Sequence, residues 1–270
     1  MLPPNRQSVT RRGFLAGMAA VSAAGALALG ISPSSAIAAD APAGLSTSFE
    51  TWFEVEEPVP VPFEIVQRVV DFPVGARAAR HLNGGPAFLT VLDGELTMWI
   101  GDAPARAYPA GASFVERFRE VAQAANLSPT QASLLVTYLI PVGSAVSMLE
   151  SASALPADRR PPGPSSRFES RLRIDEEMSS SQAGHLLRTY EPGAWTASAE
   201  PRTARLLTVV SGEVSVLTGA TQQTYAAGHH WIERPGQAWL SGNPGSGPAV
   251  VAISTTCAAD MSGEASPRGQ

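Results

Sequence analysis

The sequence predicts an all-β protein made of two tandem β-barrels of the jelly-roll kind, and three observations carry that expectation. Its apolar segments are short, glycine- and proline-rich turns separate them, and the arrangement is laid out twice. In the first half the segments run Glu64 to Phe72, Ala87 to Leu92, Glu95 to Ile100 and Leu134 to Ile140. Their counterparts are Leu186 to Tyr190, Arg205 to Val210, Glu213 to Leu217 and Ala249 to Ser254. Asp93-Gly94 and Ser211-Gly212 fall at matching places in the two halves, as hairpin turns that need the positive φ of glycine. Between the halves, Ser151 to Ser166 is too rich in proline for helix or strand and is expected to form an extended linker. The expected organisation is a first barrel over 45–150, the linker over 151–166, a second barrel over 167–258 and a disordered polar tail over 259–270.

Residues 1–38 are expected to be a leader rather than part of the fold. Thr10-Arg11-Arg12-Gly13-Phe14-Leu15 has the pattern of a twin-arginine export signal, and Ala36-Ile37-Ala38 supplies a small-x-small cleavage site. The apolar run between them is built from alanine and glycine and is marginal for a membrane span. The protein is therefore expected to be secreted or periplasmic, with no stable membrane anchor after cleavage. The single cysteine, Cys257, excludes an internal disulfide, so stability must come from the core. All 19 basic residues are arginine, against 24 acidic ones, giving a net charge of −5. Removing the leader takes away three arginines and no acid, which leaves −8. A negative chain without a basic cluster excludes nucleic acid and anionic membrane as partners.

Two signatures recur at fixed spacing. The first copy of one runs Gly75, five residues, His81, Asn83, Ala87, then six residues to Gly94; the second runs Gly193, five residues, Ala199, Pro201, Arg205, then six residues to Gly212. The other signature runs from Gly111 to Asn126 with Ala122 inside it, and again from Gly228 to Asn243 with Gly236 and Trp239 inside it. This skeleton resembles the two motifs of the cupin superfamily, G-x5-H-x-H-x3-E-x6-G and G-x5-P-x-G-x2-H-x3-N, and it covers nearly all of the chain after the leader. The resemblance implies a twin-arginine-exported bicupin with degenerate metal-binding motifs. In that family the two histidines, the glutamate and the later histidine hold a divalent metal inside the barrel. Here those positions are His81, Asn83, Ala87 and Ala122 in the first barrel, and Ala199, Pro201, Arg205 and Trp239 in the second. One ligand type of four survives in the first and none in the second, whereas a divalent ion needs three or four donors. No metal and no other cofactor is expected at either family site.

The replacements differ between the barrels. Ala87, Ala122 and Asn83 are small, so the first barrel is expected to keep an open pocket beside His81, lined by aliphatic side chains such as Leu89 and Val91. Arg205 and Trp239 are bulky, and their guanidinium and indole are expected to stack and plug the second barrel. A buried Arg205 needs a carboxylate, for which Glu233 is a candidate. The candidate ligand-binding residues are thus His81, Asn83, Ala87, Leu89, Ala122, Arg205 and Trp239. His81 is also the candidate catalytic group, either transferring protons or serving only as a backbone hydrogen-bond partner. His229 and His230 are adjacent, so on a strand they face opposite ways; a turn decoration is favoured over an atypical metal site. Three functions stay open: an exported protein binding a small, mostly apolar molecule in the first barrel, a metal-independent isomerase, cyclase or lyase using His81, or a structural protein. The resemblance also implies that a homodimer would form through outer strands.

Overall fold

The computed structural model describes residues 43–150, 161–175 and 182–257. The expected leader, most of the linker and the tail lie outside the described residues. Among the described residues there are strands and no helix. The first half holds β1 (Leu45–Glu54), β2 (Phe63–Phe72), β3 (His81–Asn83), β4 (Ala87–Asp93), β5 (Glu95–Ile100), β6 (Arg106–Pro109), β7 (Ser113–Glu116), β8 (Val121–Ala125), β9 (Ala132–Pro141) and β10 (Ser147–Leu149). The second half holds β11 (Ser165–Ile174), β12 (Gln182–Tyr190), β13 (Arg205–Ser211), β14 (Glu213–Thr218), β15 (Thr221–Ala226), β16 (His230–Glu233), β17 (Leu240–Gly242) and β18 (Ala249–Cys257). The last two residues assigned from sequence to the linker are therefore already strand.

Four antiparallel sheets result. The first barrel is closed by the sheet β11-β2-β9-β4-β7 and the sheet β10-β3-β8-β5-β6; the second by β1-β12-β18-β13-β16 and β15-β14-β17. Chain order and sheet order part company at the start of each half. β1 pairs with β12, from Leu45 opposite Tyr190 to Glu54 opposite Gln182, and β11 pairs with β2, from Ser165 opposite Asp71 to Ile174 opposite Phe63. Each half thus lends its first strand to the sheet of the other. The sequence boundary that gave 45–54 to the first barrel follows the chain, while the hydrogen bonds place that segment in the second.

Alternation along the central strands explains why these segments read as unbroken apolar runs. On β9, Ala132, Leu134, Val136, Tyr138 and Ile140 enter the first core, with Val66, Leu89, Val91, Leu96, Met98 and Phe114. The alternate residues Leu135 and Leu139 face the second half, in clusters that also hold Leu187, Val250 and Ala252 or Phe53, Leu172 and Leu206. On β18, Val251 and Ile253 enter the second core while Val250 and Ala252 face the first half. A strand buried on both faces has no polar side to show. Each such leucine or valine is worth about 1.5–3 kcal/mol when fully buried, so the face between the barrels is a core of its own.

The repeated signature has a structural job that is the same in both halves. Asn126 donates its side-chain amide to the carbonyls of Phe72 and Thr130, and Asn243 to those of Tyr190 and Gly247. The amides of Gly75 and Gly193 return to the carbonyls of these same two asparagines. Buried backbone carbonyls at the two loops are satisfied in this way.

Candidate functional site in the first barrel

His81 and Asn83 stand on β3, Ala87 on β4 and Ala122 on β8, and the register brings them together: His81 lies opposite Ala122. Ala87 lies opposite Glu116 of β7 on one side and Tyr138 of β9 on the other. The place left by a large side chain at position 87 is therefore bordered by a carboxyl and a phenol. The expected aliphatic pocket is corrected on this point: Leu89 and Val91 are packed into the core with Phe114 and Met98, and the groups bordering Ala87 are polar.

Glu116 is 2% exposed. It accepts a hydrogen bond from Asn83 Nδ2 at 2.6 Å, and its Oε2 is 3.9 Å from His81 Nε2. Burial pushes its carboxyl above the usual range; the nearby His81 and the Asn83 hydrogen bond oppose that shift, and Glu120 adds to it. His81 Nδ1 is 3.0 Å from the Ala79 carbonyl, which can only accept. Nδ1 therefore carries the proton and donates it, and in the neutral ring Nε2 holds the lone pair, turned toward Glu116. The backbone hydrogen bond expected of His81 is present, and its other ring nitrogen faces Glu116. Asn83 Oδ1 is buried and has no partner. Tyr138 is held in its phenol form, first by burial and then by the charge of Glu116. Arg68 lies over the Tyr138 ring, 5.8 Å from its centroid, and is tied to Glu169 at 2.6 Å.

These donors do not suit a divalent ion. The position facing the carboxylate is taken by an amide N–H from Asn83, and Ala87 and Ala122 offer nothing. His81 and Glu116 are the two imidazole or carboxylate donors, and Asn83 Oδ1 adds only a neutral amide oxygen, a poorer set than the three histidines and a glutamate of the family motif. Among the described residues no three His, Cys, Asp or Glu side chains are grouped to hold one.

In the second barrel Arg205 lies opposite Glu233 on β16, with Nη1 4.0 Å from Oε2. Trp231 Nε1 donates to the same carboxylate at 3.1 Å. The stacked pair of Arg205 and Trp239 is not formed. Trp239 pairs through its backbone with Ala199 and packs against the second core, with Nε1 buried and unpartnered. The cross-strand carboxylate was the nearer partner, because a buried guanidinium must be neutralised and an indole face cannot do that. His230 begins β16 and His229 precedes it, both exposed. The sequence expectations missed Glu116, Tyr138 and Arg68. A signal for Glu116 was present: it follows Gly111 by the same interval as Glu233 follows Gly228.

Solved proteins share the fold. A vicilin from Solanum melongena superimposes with a TM-score of 0.54 at 10% identity, over 75% of this chain and 82% of that one. A vicilin from Solanum lycopersicum gives 0.52 at 9% identity, over 70% and 74%. The coconut allergen cocosin gives 0.51 at 7% identity, over 77% and 86%. The fold is that of a bicupin. No protein-family model matches the sequence, and no curated protein matches it either. At these identities the likeness reaches the bicupin fold and stops there; what the bicupin does must be argued from its own side chains.

Proposed function

We propose that the first barrel of this bicupin is a metal-independent proton-transfer site for a small molecule, with His81 as the base and Glu116 as the acid. The observation that carries it is the 3.9 Å separation of His81 Nε2 and Glu116 Oε2, with Nδ1 committed to the Ala79 carbonyl. A base whose lone pair faces a carboxyl that burial pushes toward its acid form is an arrangement in which one group can take a proton while the other gives one. The substrate that fits carries a C–H beside a carbonyl. His81 Nε2 takes the proton from carbon, the carbonyl oxygen receives the proton of Glu116, and an enol forms. Where the carbon that lost its proton bears a hydroxyl, the enediol returns that hydroxyl's proton to Glu116 and takes the His81 proton at the former carbonyl carbon, an isomerisation. Where the carbon on its other side bears a leaving group, the enol returns its O–H proton to Glu116, a carbon–carbon double bond forms and the group departs with the His81 proton, a lyase reaction. Asn83 Oδ1, buried and unpartnered, accepts a hydrogen bond from a substrate hydroxyl. The leader expected from sequence places this chemistry outside the cytoplasm.

The test is solvent exchange. The purified mature protein is incubated in D2O with a panel of small hydroxy-ketones, hydroxy-aldehydes and keto acids, and deuterium on carbon is followed by NMR. Exchange by the wild type that falls about 100-fold or more in His81→Ala and Glu116→Gln supports the proposal, that being the usual worth of a positioned acid or base. Loss with a stoichiometric metal found by elemental analysis overturns the metal-independent part. Saturable binding with no exchange makes the barrel a carrier, a second reading that the unpartnered Asn83 Oδ1 favours by itself.

A further inference from the structure

The outer face of the first barrel carries a cavity that the chemistry of His81 does not use. On β8, Ala122 pairs with His81, while Val121 and Gln123 project to the opposite face of the sheet. Trp99 of β5 lies opposite Gln123 on that outer face. With Arg77, Arg80, Gly101 and the edge of Ala122 these residues enclose a cavity of about 290 Å³. At about 30 Å³ for each water of liquid, that is room for a one- or two-ring molecule. It sits at the lower end of the range of known small-molecule sites, roughly 300–1,000 Å³.

The lining sets the chemistry. Trp99 and Val121 make an apolar wall, and Arg77 lies over the Trp99 ring with its guanidinium carbon 5.3 Å from the centroid. Arg80 is neutralised by Glu150 at 2.6 Å, and Gln123 commits its N–H to the Ala78 carbonyl at 3.0 Å. Glu120, at the rim beside Gly101, accepts from the Arg117 amide and stands in the field of the Arg117 guanidinium. Of the two arginines that line the cavity, Arg77 is the one without a carboxylate partner among the described residues. A guanidinium held against an indole keeps its in-plane N–H groups for an outside acceptor, and its fork matches a carboxylate. We infer that this cavity binds a small carboxylate with an apolar, ring-sized body, the carboxylate on Arg77 and the body against Trp99 and Val121.

The cavity is wired to the inner site by one short segment. Arg77 and Arg80 bracket Ala78, whose carbonyl holds Gln123, and Ala79, whose carbonyl holds His81 Nδ1. One segment thus lines the outer cavity with Arg77 and Arg80 and fixes the His81 tautomer through the carbonyl between them.

The probes are 1-naphthoate and its uncharged amide, titrated into the mature protein by calorimetry, with quenching of indole fluorescence as a second readout. The expected result is saturable naphthoate binding, weakened about tenfold or more by Arg77→Ala and by removal of the probe's charge, as for a charge-assisted contact worth about 1.4 kcal/mol. Trp99→Leu should weaken it and remove most of the quench, while Glu116→Gln leaves it unchanged. Binding lost in Glu116→Gln or His81→Ala but kept in Arg77→Ala would place the probe inside the barrel and overturn the assignment. Equal affinity for acid and amide, or no binding of either, would overturn it as well. Arg77→Lys separates charge from fork: it should recover only part of the affinity. Because Glu116→Gln removes the inner chemistry and spares this binding, failure of one proposal is distinguishable from failure of the other.

Discussion

Glu116 and Glu233 hold the same place in two copies of one signature, and their neighbours decide what each carboxyl can do. Glu233 faces the guanidinium of Arg205 and the N–H of Trp231, so its charge is matched inside the barrel. Glu116 faces an amide N–H and an imidazole lone pair, with no fixed cation. Its folded pKa is raised, first by burial, above the value of the unfolded chain. The sign follows: the folded state holds this proton more tightly, so the contribution is present below the unfolded pKa and is lost as pH rises through the folded one. Glu116→Gln keeps the shape and the Asn83 contact without the titration. It should raise the melting temperature more at pH 8 than at pH 4.5, as read by differential scanning fluorimetry. A larger gain at pH 4.5 would mean that the carboxylate is held ionised. Half of this site was legible in the sequence, because spacing from Gly75 identifies His81, Asn83 and Ala87 as neighbours. The other half was not, because Glu116 and Tyr138 reach Ala87 across strands, and cross-strand register is set by pairing rather than by spacing.

At the scale of elements, the hairpins β4–β5 and β13–β14 were the plainest part of the sequence, since each needs a glycine where the chain turns. Gly94 and Gly212 have φ of 72° and 78°. A Cβ on Gly212 would lie 2.8 Å from the Ala249 Cα and the Pro248 oxygen, both backbone atoms that have no room to yield. Gly193 has nearly the same φ, 76°, but a Cβ there would meet nothing within 4 Å. The two therefore separate conformational strain from collision. Gly193→Ala should cost about 1 kcal/mol, the strain of a left-handed residue, and Gly212→Ala about 2 kcal/mol or more, measured by urea unfolding. Equal losses would show that β18 shifts to make room. The bulges between Val91 and Asp93 and between Val209 and Ser211 sit at matching places just before these turns, and no residue type announced them. The exchange of β1 and β11 was equally silent. An edge strand carries the same alternation whichever sheet it joins, so its pattern cannot name its partner.

For the whole molecule, that exchange makes the face between the barrels a shared core, and the polar groups buried there must find partners across it. Gln67 and Thr137 of the first half both meet Ser254 at 2.7 Å, and Ser170 accepts from Thr208 at 3.1 Å. His185 is the group on this seam whose partners are poorest. Its Nδ1 is 3.3 Å from Thr90 Oγ1, its Nε2 has no partner, and Phe53 packs edge-on against the ring at 5.2 Å. Burial lowers its pKa to about 3. In the unfolded chain an imidazole titrates near 6.5, so below that pH the unfolded state binds a proton that the folded state refuses. Stability is therefore lost as pH falls from about 6.5 toward about 3, at about 1.4 kcal/mol per pH unit, or about 2 kcal/mol by pH 5. This slope opposes that of Glu116, which is relieved by acid. His185→Leu, close in volume and without charge, should abolish the acid-side loss: the wild type should melt higher at pH 7.5, and the variant should overtake it between pH 6 and 5. Because the sheet that each barrel turns toward its neighbour is completed by a strand of the other, the loss should appear as one cooperative transition rather than two. Parallel curves for the two proteins from pH 7.5 to 4 would show that the seam opens far enough to hydrate the ring, and that the barrels are less firmly joined than their exchanged strands imply.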